Sequence, residues 1–254
     1  MSRLRELIAE SGPESAPVPS GTVIMARELE SSCGRFDREW FAPRGGLWLA
    51  MAWADTLLPD YARLLPLAAG SAACQAIRSF GVDAALKWVN DIHVGGCKIG
   101  GILCETFAGG SAGDRYQLIG MGINCNNVEF PVSIRHNATS MKVQLGTPVD
   151  LEEFALRLLG YLTWHVGLVH HNEEQDLHRS GEMDANPVVD AWRRLSDSPG
   201  REVIYGFDVV RHPQYRATVE DIDSSGGLVL RLPDGRTVTE YSGEIVYLPE
   251  KEAS

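Results

Sequence analysis

Positive charge is scarce in this chain: 23 lysines and arginines stand against 34 aspartates and glutamates, a net charge of −11. Binding a nucleic-acid backbone takes clustered cations, so a broad nucleic-acid surface is excluded. Any cation that meets an anionic ligand here acts locally, against an unfavourable overall field. Long apolar runs are missing too. None approaches the roughly 20 residues of a membrane span, and Met1-Ser2-Arg3-Leu4-Arg5 lacks the apolar core of a secretory signal. Cysteine is sparse. Cys33, Cys74, Cys97, Cys104 and Cys125 are odd in number and form no CxxC pair, which points to a reducing compartment, the cytoplasm. No Cys or His cluster has zinc spacing, and His170-His171 stand by themselves, so no metal-ligand set is expected. There is no internal repeat.

What is present suits a globular protein with room for a catalytic unit and a small accessory unit. Helical spacing of apolar residues covers 3–11 (Leu4, Leu7, Ile8), 61–80 (Leu64, Leu65, Leu67, Ala68, Ala72, Ile77) and 188–195. The longest such pattern, 150–170, has Asp150 as N-cap and Leu151, Phe154, Leu158, Leu159 and Leu162 as its buried stripe. Strands are predicted at 22–26, 47–53 and 116–123. Residues 12–20 read as a connector, 28–44 as a polar, mobile loop and 172–186 as an exposed, charged excursion. After Ser196-Asp197-Ser198-Pro199-Gly200 the character changes to short β-like runs at 202–205, 215–222, 227–232 and 236–240. Ser224-Ser225-Gly226-Gly227 and Pro233-Asp234-Gly235 supply turns between the later runs, and strands this short and close predict a small barrel. The expected fold is α+β, with domains at 1–196 and 197–254.

The densest chemistry lies in Lys87-Trp88-Val89-Asn90-Asp91-Ile92-His93-Val94-Gly95-Gly96-Cys97-Lys98-Ile99-Gly100-Gly101-Ile102-Leu103. Residues 84–88 and 99–103 read as short buried strands of one hairpin, with Gly95-Gly96 as its turn. Such a hairpin holds Asn90, Asp91 and Lys98 near one end of a sheet. Gly100-Gly101 lets a ligand approach the backbone closely. Cations beside bare backbone suit an anionic substrate.

This segment resembles the Lys-Trp-Pro-Asn-Asp…Lys-x-Gly-Gly-Ile-Leu block of the biotin protein ligases. Three further blocks follow the family's order. The run from Gly34-Arg35-Phe36-Asp37-Arg38-Glu39-Trp40-Phe41 to Trp48 resembles the second half of the biotin loop and the next strand. Gly120-Met121-Gly122-Ile123-Asn124-Cys125-Asn126 is similar to the family's nucleotide segment, with Ala138-Thr139-Ser140-Met141 after it. Gly243-Glu244-Ile245 matches the close of the family's C-terminal domain. The resemblance runs over residues 21–248. It implies the biotin/lipoate ligase fold: a central mixed β-sheet flanked by helices, class II synthetase-like, then an SH3-like β-barrel. It also implies ATP and Mg²⁺ as cofactors and biotin as substrate, with the biotin-accepting carrier domain of a carboxylase as partner. Family members often dimerise, so a homodimer is among the implied states. The DNA-binding domain that some members carry in front is not matched, and a repressor role is not expected.

Acylating an amine with a carboxylic acid requires activation, because a carboxylate is a poor electrophile. ATP converts the acid to a mixed anhydride with AMP, and the two anions that meet need cations and hydrogen-bond donors. Arg35, Arg38 and Lys98 are the candidates. By resemblance, Arg35 and Lys98 contact the acyl-adenylate, Asn124 lies near the triphosphate and Mg²⁺, and Trp40 packs on the adenine side. Asp91 orients the incoming lysine amine or helps remove its proton. Gly34, Lys87, Asn90, Gly100, Gly101, Ile102 and Gly122 complete the expected nucleotide- and acid-binding set. Arg38 and Lys87 read equally well as acid-paired surface cations; taken alone, Trp40 reads as core and Asn124 as a turn residue, but the joint occurrence of the motifs raises Arg35, Lys98 and Asn124 above such readings.

The departures from the family matter. Where its loop reads Gln-Thr-x-Gly-Arg-Gly-Arg, this chain has Leu29-Glu30-Ser31-Ser32-Cys33-Gly34-Arg35. A glutamine has become Leu29, the first glycine Ser32, and the first arginine Cys33. The family's Ser-Thr-Asn segment belongs just ahead of the first helix, where only Met1-Ser2 stand. A ureido ring needs polar partners, whereas a fatty chain accepts Leu29. A ligase for lipoate, octanoate or another small acid therefore stays open, as does a non-catalytic nucleotide- or small-molecule-binding relative.

Overall fold

The computed structural model describes residues 1–11, 16–109, 114–178 and 186–249. In chain order it holds α1 (Ser2–Glu10), β1 (Thr22–Ala26), β2 (Leu47–Ala54), α2 (Pro59–Ala62), α3 (Leu65–Arg78), β3 (Ala85–Lys87), β4 (Asp91–Val94), β5 (Cys97–Gly109) and β6 (Asp114–Ile123). Then come α4 (Met141–Leu145), α5 (Leu151–His178), α6 (Pro187–Leu195), β7 (Glu202–Gly206), β8 (Tyr215–Ile222), β9 (Leu228–Arg231), β10 (Thr237–Glu240) and β11 (Glu244–Tyr247). The first six strands form one sheet in the order β1-β2-β6-β5-β4-β3, and the last five a second, β10-β9-β8-β7-β11.

Side-chain alternation gives the first sheet two distinct faces. Ile119, Met121 and Ile123 of β6, with Leu47, Leu49 and Met51 of β2, face the large core shared with α3 and α5. In α3 the contacts are made by small residues, Ala68, Ala69, Ala72, Ala73 and Ala76, all buried, so the helix lies close to its neighbours. The opposite face carries Ala50, Ala52, Tyr116 and Leu118, and α1 covers it with Leu4 and Ile8. Helix α5 starts where predicted, because the Asp150 carboxylate accepts from the backbone N–H of Glu152 (2.8 Å) and Glu153 (3.1 Å). Its buried stripe continues through His165, Val166 and Val169, so the helix runs on to His178. The polar stretch from 172 is thus helical in its first part; residues 179–185, like part of the predicted 12–20 connector, lie outside the described residues.

Three expectations change. The sheet expected to be mixed pairs antiparallel throughout its named ladders. Parallel contact is confined, among the described residues, to the single bridges Leu86–Ser196 and Lys98–Ala138. The single hairpin predicted at 84–103 is a three-stranded meander, because residues 91–94 form β4 between β3 and β5. The C-terminal strands form an antiparallel sheet, and no pairing among the described residues closes it into a barrel. Nor does that sheet have a core of its own. Val203, Tyr205, Val219, Leu230 and Ile245 belong to the same apolar cluster as α3. Trp88 Nε1 donates to the Gly226 carbonyl at 3.2 Å, and a Cβ on Gly226 would stand 2.7 Å from Leu67 Cδ1.

Candidate functional site

The site is built on the face of the first sheet that α1 covers in part. Gly101 of β5 and Gly122 of β6 are register partners there. The Trp40 ring, carried in from the 28–44 loop, lies directly on them. A Cβ on Gly122 would stand 3.0 Å from Trp40 Nε1, and one on Gly101 would stand 3.3 Å from both Trp40 Cζ3 and Lys98 Cε. Only glycine admits the indole this close to the backbone. Trp40 Nε1 is itself buried with no hydrogen-bond partner among the described residues. A buried orphan donor over a bare backbone floor is a place for an acceptor.

One irregularity brings the charges to this floor. Lys98 and Gly101 are three residues apart, so in a regular strand they point to opposite faces. The β4–β5 register shifts between Ile92 and His93: Ile92 pairs with Gly100, but His93 pairs with Lys98. Ile99 is the extra residue of a β-bulge, a device that re-aims a side chain. Lys98 thereby joins Asp91, the partner of Gly101, on the glycine face. Its ammonium donates to Asp91 Oδ1 and lies 5.0 Å from the centre of the Trp40 ring. Lys87 Nζ lies 3.5 Å from Asp91 Oδ2. Burial alone would raise the Asp91 carboxyl, but Lys98 and Lys87 together hold it below its ordinary value.

Asn90 fixes the turn into β4. Its amide donates to the Ile102 carbonyl at 2.8 Å, and Ile102 N–H donates back to the Asn90 carbonyl at 2.9 Å. Ile102 is fully committed as a result: its side chain is buried and its backbone polar groups are taken. The Asn90 side-chain oxygen accepts from Arg35 at 3.5 Å, and the same guanidinium donates to the Gly243 carbonyl at 2.8 Å. Burial pulls Arg35 below its ordinary value, yet an arginine stays charged. The floor is therefore bordered by three cations, Arg35, Lys87 and Lys98, with Asp91 as the carboxylate between the lysines.

Other predicted residues have different partners. The Arg38 guanidinium is clamped by Glu244, at 3.0 and 2.8 Å to its two oxygens, and by Asp208. The Asn124 side chain is buried and accepts from Asn127 Nδ2 at 3.1 Å, while its backbone joins Ile99 to Met141. That makes it a turn-holding residue in this state. Gly34 closes the loop by donating to the Arg38 carbonyl at 2.8 Å. Gly100 sits on the core face, where a Cβ would stand 2.6 Å from Ile123 Cδ1. The loop expected to be mobile is cross-tied: Ser32 Oγ donates to the Trp40 carbonyl, Leu29 N–H to the Ala42 carbonyl at 3.0 Å, and Arg44 to Glu28 at 3.0 and 3.1 Å. Ser32, one of the departures, is thus one of the ties.

Two groups near the floor escaped the sequence reading. His93, buried on the same face as Asp91, meets Asp197 at 2.9 Å, and Tyr247 donates to the same carboxylate oxygen at 3.0 Å. Phe207, Asp208 and Gly243-Glu244 of the C-terminal sheet and its loops pack on the 35–38 turn. Only Gly243-Glu244 had a signal, as a matched motif without a role.

Comparison with known proteins supplies the family. Residues 4–124 match the biotin/lipoate A/B protein ligase family, and residues 200–247 match the biotin protein ligase C-terminal domain. A biotin–[acetyl-CoA-carboxylase] ligase of Paracoccus denitrificans is 30% identical over 241 residues, covering 88% of this chain and 90% of that protein. The bifunctional ligase/repressor of Bacillus subtilis is 33% identical over 138 residues, which span 52% of this chain but only 42% of the longer protein. The biotin protein ligase of Aquifex aeolicus, solved with biotin and ATP, shares the fold, with a TM-score of 0.74 at 21% identity over 97% of this chain and 94% of that one. With a relative 30% identical and matched over nearly its whole length, and with both family models matched in order, this chain belongs to the biotin protein ligase family.

Proposed function

We propose that this protein is an ATP-dependent biotin protein ligase, which forms biotinyl-5'-AMP and transfers the biotinyl group to a lysine of a carboxylase carrier domain. The observation that carries the reading is the bulge at Ile99, which sets Lys98 and Asp91 beside the Gly101–Gly122 floor. In the first step a biotin carboxylate oxygen attacks the α-phosphorus and pyrophosphate leaves. Lys98 and Arg35 offset the negative charge that gathers there, with Arg35 offering a planar pair of donors. The Trp40 indole N–H donates to the bound ligand, and the glycines let that ligand lie on the backbone. In the second step the carrier lysine's amine attacks the acyl carbon and AMP leaves.

Asp91 orients that amine. A carboxylate held low by two ammonium groups is a weak base, so its part is to accept a hydrogen bond. Lys87 and Lys98 also disfavour an ammonium form of the incoming lysine, which keeps its nucleophilic lone pair available. Among the described residues no three His, Cys, Asp or Glu side chains are placed to hold a metal ion. The Asn124 side-chain oxygen accepts from Asn127 and keeps a second lone pair, so it would be the residue to contact a nucleotide-bound Mg²⁺. Mg²⁺ at such nucleotide sites would be held largely by the substrate's phosphate oxygens, where it would offset their charge. ATP chemistry and five free thiols support a reducing, cytoplasmic setting; no helix among the described residues is long and apolar enough to cross a membrane.

One observation favours another acid. Leu29, 40% exposed at the start of the loop, offers an apolar side chain where the family pattern has a glutamine. The deciding experiment is ATP–pyrophosphate exchange with biotin, lipoate or octanoate, followed by transfer of labelled acid to a carrier domain. Exchange with biotin and labelling of one carrier lysine supports the proposal. Exchange with lipoate or octanoate alone moves the substrate, and acid-independent nucleotide binding without exchange refutes a ligase.

A further inference from the structure

The turn at 35–38 is held from the C-terminal side of the molecule. Phe36 has φ +57°, a left-handed conformation that a bulky L-residue keeps only when its surroundings impose it. Those surroundings are specific. The Arg35 and Arg38 guanidinium carbons lie 5.0 and 5.3 Å from the centre of the Phe36 ring. The ring of Phe207 meets Phe36 edge-on, with centroids 5.2 Å apart at 70°. Glu244 takes Arg38 in a two-oxygen clamp, Asp208 adds a second carboxylate, and the Gly243 carbonyl takes Arg35 directly. Asp208 and Glu244 are buried or nearly so, which protects the pairing from solvent. Four separate contacts from two C-terminal segments thus converge on three loop residues, Arg35, Phe36 and Arg38.

We propose that Phe207, Asp208 and Glu244 form a latch that holds the 35–38 turn closed, so that Arg35 and Trp40 are pre-positioned over the glycine floor before substrate arrives. In this arrangement Arg38 is a positioning residue: its charge is spent on the latch, and Arg35 carries the contact with the adenylate. The inference rests on the site proposed above. A protein whose competent state is only partly populated binds more weakly by that fraction. Opening the latch therefore raises the KM for acid and ATP while leaving turnover at saturation nearly intact.

The test uses the full chain with Glu244→Gln, Arg38→Met, the double variant and Phe207→Ala. Phe207 is 55% exposed, so its removal threatens folding least and keeps the test decisive if Glu244→Gln is unstable. Chymotrypsin, which cuts after Phe36, Trp40 and Phe41, reports loop opening without any need for activity. The expected result is cleavage about tenfold faster in Glu244→Gln and Phe207→Ala, the scale of one partly screened contact. Saturating biotin with a non-hydrolysable ATP analogue restores protection. In pyrophosphate exchange, KM rises about tenfold with kcat within about twofold, and the double variant loses no more than Arg38→Met alone. Equal cleavage of the variants and the unaltered chain overturns the latch, as do additive losses or a fall in kcat at unchanged KM. If the unaltered chain shows no exchange with any acid, the ligase reading fails on its own, and the cleavage comparison still decides the latch.

Discussion

Replacing Gly122 with alanine tests the floor at its tightest point. The new Cβ would stand 3.0 Å from Trp40 Nε1, with two more indole atoms at 3.1 and 3.3 Å. Carbon contacts are optimal at about 3.5–4.0 Å, so the ring must retreat by roughly 0.5–1 Å. Gly122 lies in regular β structure, and its φ is not among the positive ones, so the backbone accepts alanine without strain. Loss of glycine's freedom in the unfolded chain contributes about 0.4–1 kcal/mol of stability, which offsets the crowding. Folding stability is therefore expected to stay within about 1 kcal/mol of the starting protein. Activity is not expected to stay. A misplacement of about 1 Å in a positioning group costs on the order of 100-fold, so kcat/KM for pyrophosphate exchange is expected to fall roughly 10- to 100-fold. Exchange kinetics and urea unfolding, run on the same preparation, check both halves. Unchanged exchange would refute the role of the floor, and a loss of stability matching the loss of activity would assign the effect to folding.

Other outcomes follow from named contacts. Lys98→Met is expected to cut exchange by roughly 100- to 1000-fold, the range for removing one charge-stabilising donor; Asp91→Asn should spare exchange and slow transfer to the carrier, as single-turnover assays of each half-reaction would show. His165 is buried against Gln75, and burial pushes it down to about 4. Its unfolded value is about 6.5, so stability is whole above that pH and declines as pH falls toward 4, by about 3 kcal/mol in total. Urea melts of the unaltered chain and His165→Gln across that window should differ in slope, and parallel curves would remove His165 as the cause. Ending the chain at 196 uncovers Leu64, Leu67 and Trp88, each worth about 1.5–3 kcal/mol of burial. That loss rivals the stability of a whole domain, so circular dichroism is expected to show an unfolded or molten chain rather than an independent ligase unit.

How much of this was legible in the sequence depends on the distance over which each feature is decided. The longer helices were readable because caps and apolar stripes are local: Asp150 and the Leu158–Leu162 spacing announce α5, and only its last turns, kept buried by Val169 and Asn172, ran past the predicted end, while the five-residue α4 was too short to announce itself. Lys98, Asp91 and Gly101 stood out as residue types and were expected near one end of a sheet, but their sharing of one face was not legible. Spacing of three along a strand puts Lys98 on the wrong face, and nothing in the string Lys98-Ile99-Gly100-Gly101 marks Ile99 as a bulge. The resemblance to a family carried that point without explaining it. Arg38 shows the opposite failure. As a basic residue in a polar loop it reads as a hand for phosphate, yet the carboxylates that claim it stand 170 and 206 residues further along the chain.

The charge balance ties these observations together. A chain with eleven more acids than bases has to make one positive surface, and it does so by choosing which cations to leave open. Arg38, Arg44, Arg115 and Arg201 each face carboxylates of their own. Lys87 and Lys98 instead share a single carboxylate, and among the described residues the hydrogen bonds of Arg35 go to neutral acceptors, the Gly243 carbonyl and the Asn90 amide. Neutral anchors fix a guanidinium's position without forming an ion pair with it; Glu244 and Asp91 act on it only from a distance, so its direct ion pair is left for the anion that arrives. On this argument the acids of the C-terminal sheet serve the positive site indirectly: they draw Arg38 to themselves and, through the short turn it belongs to, set Arg35 where its charge is still unspent.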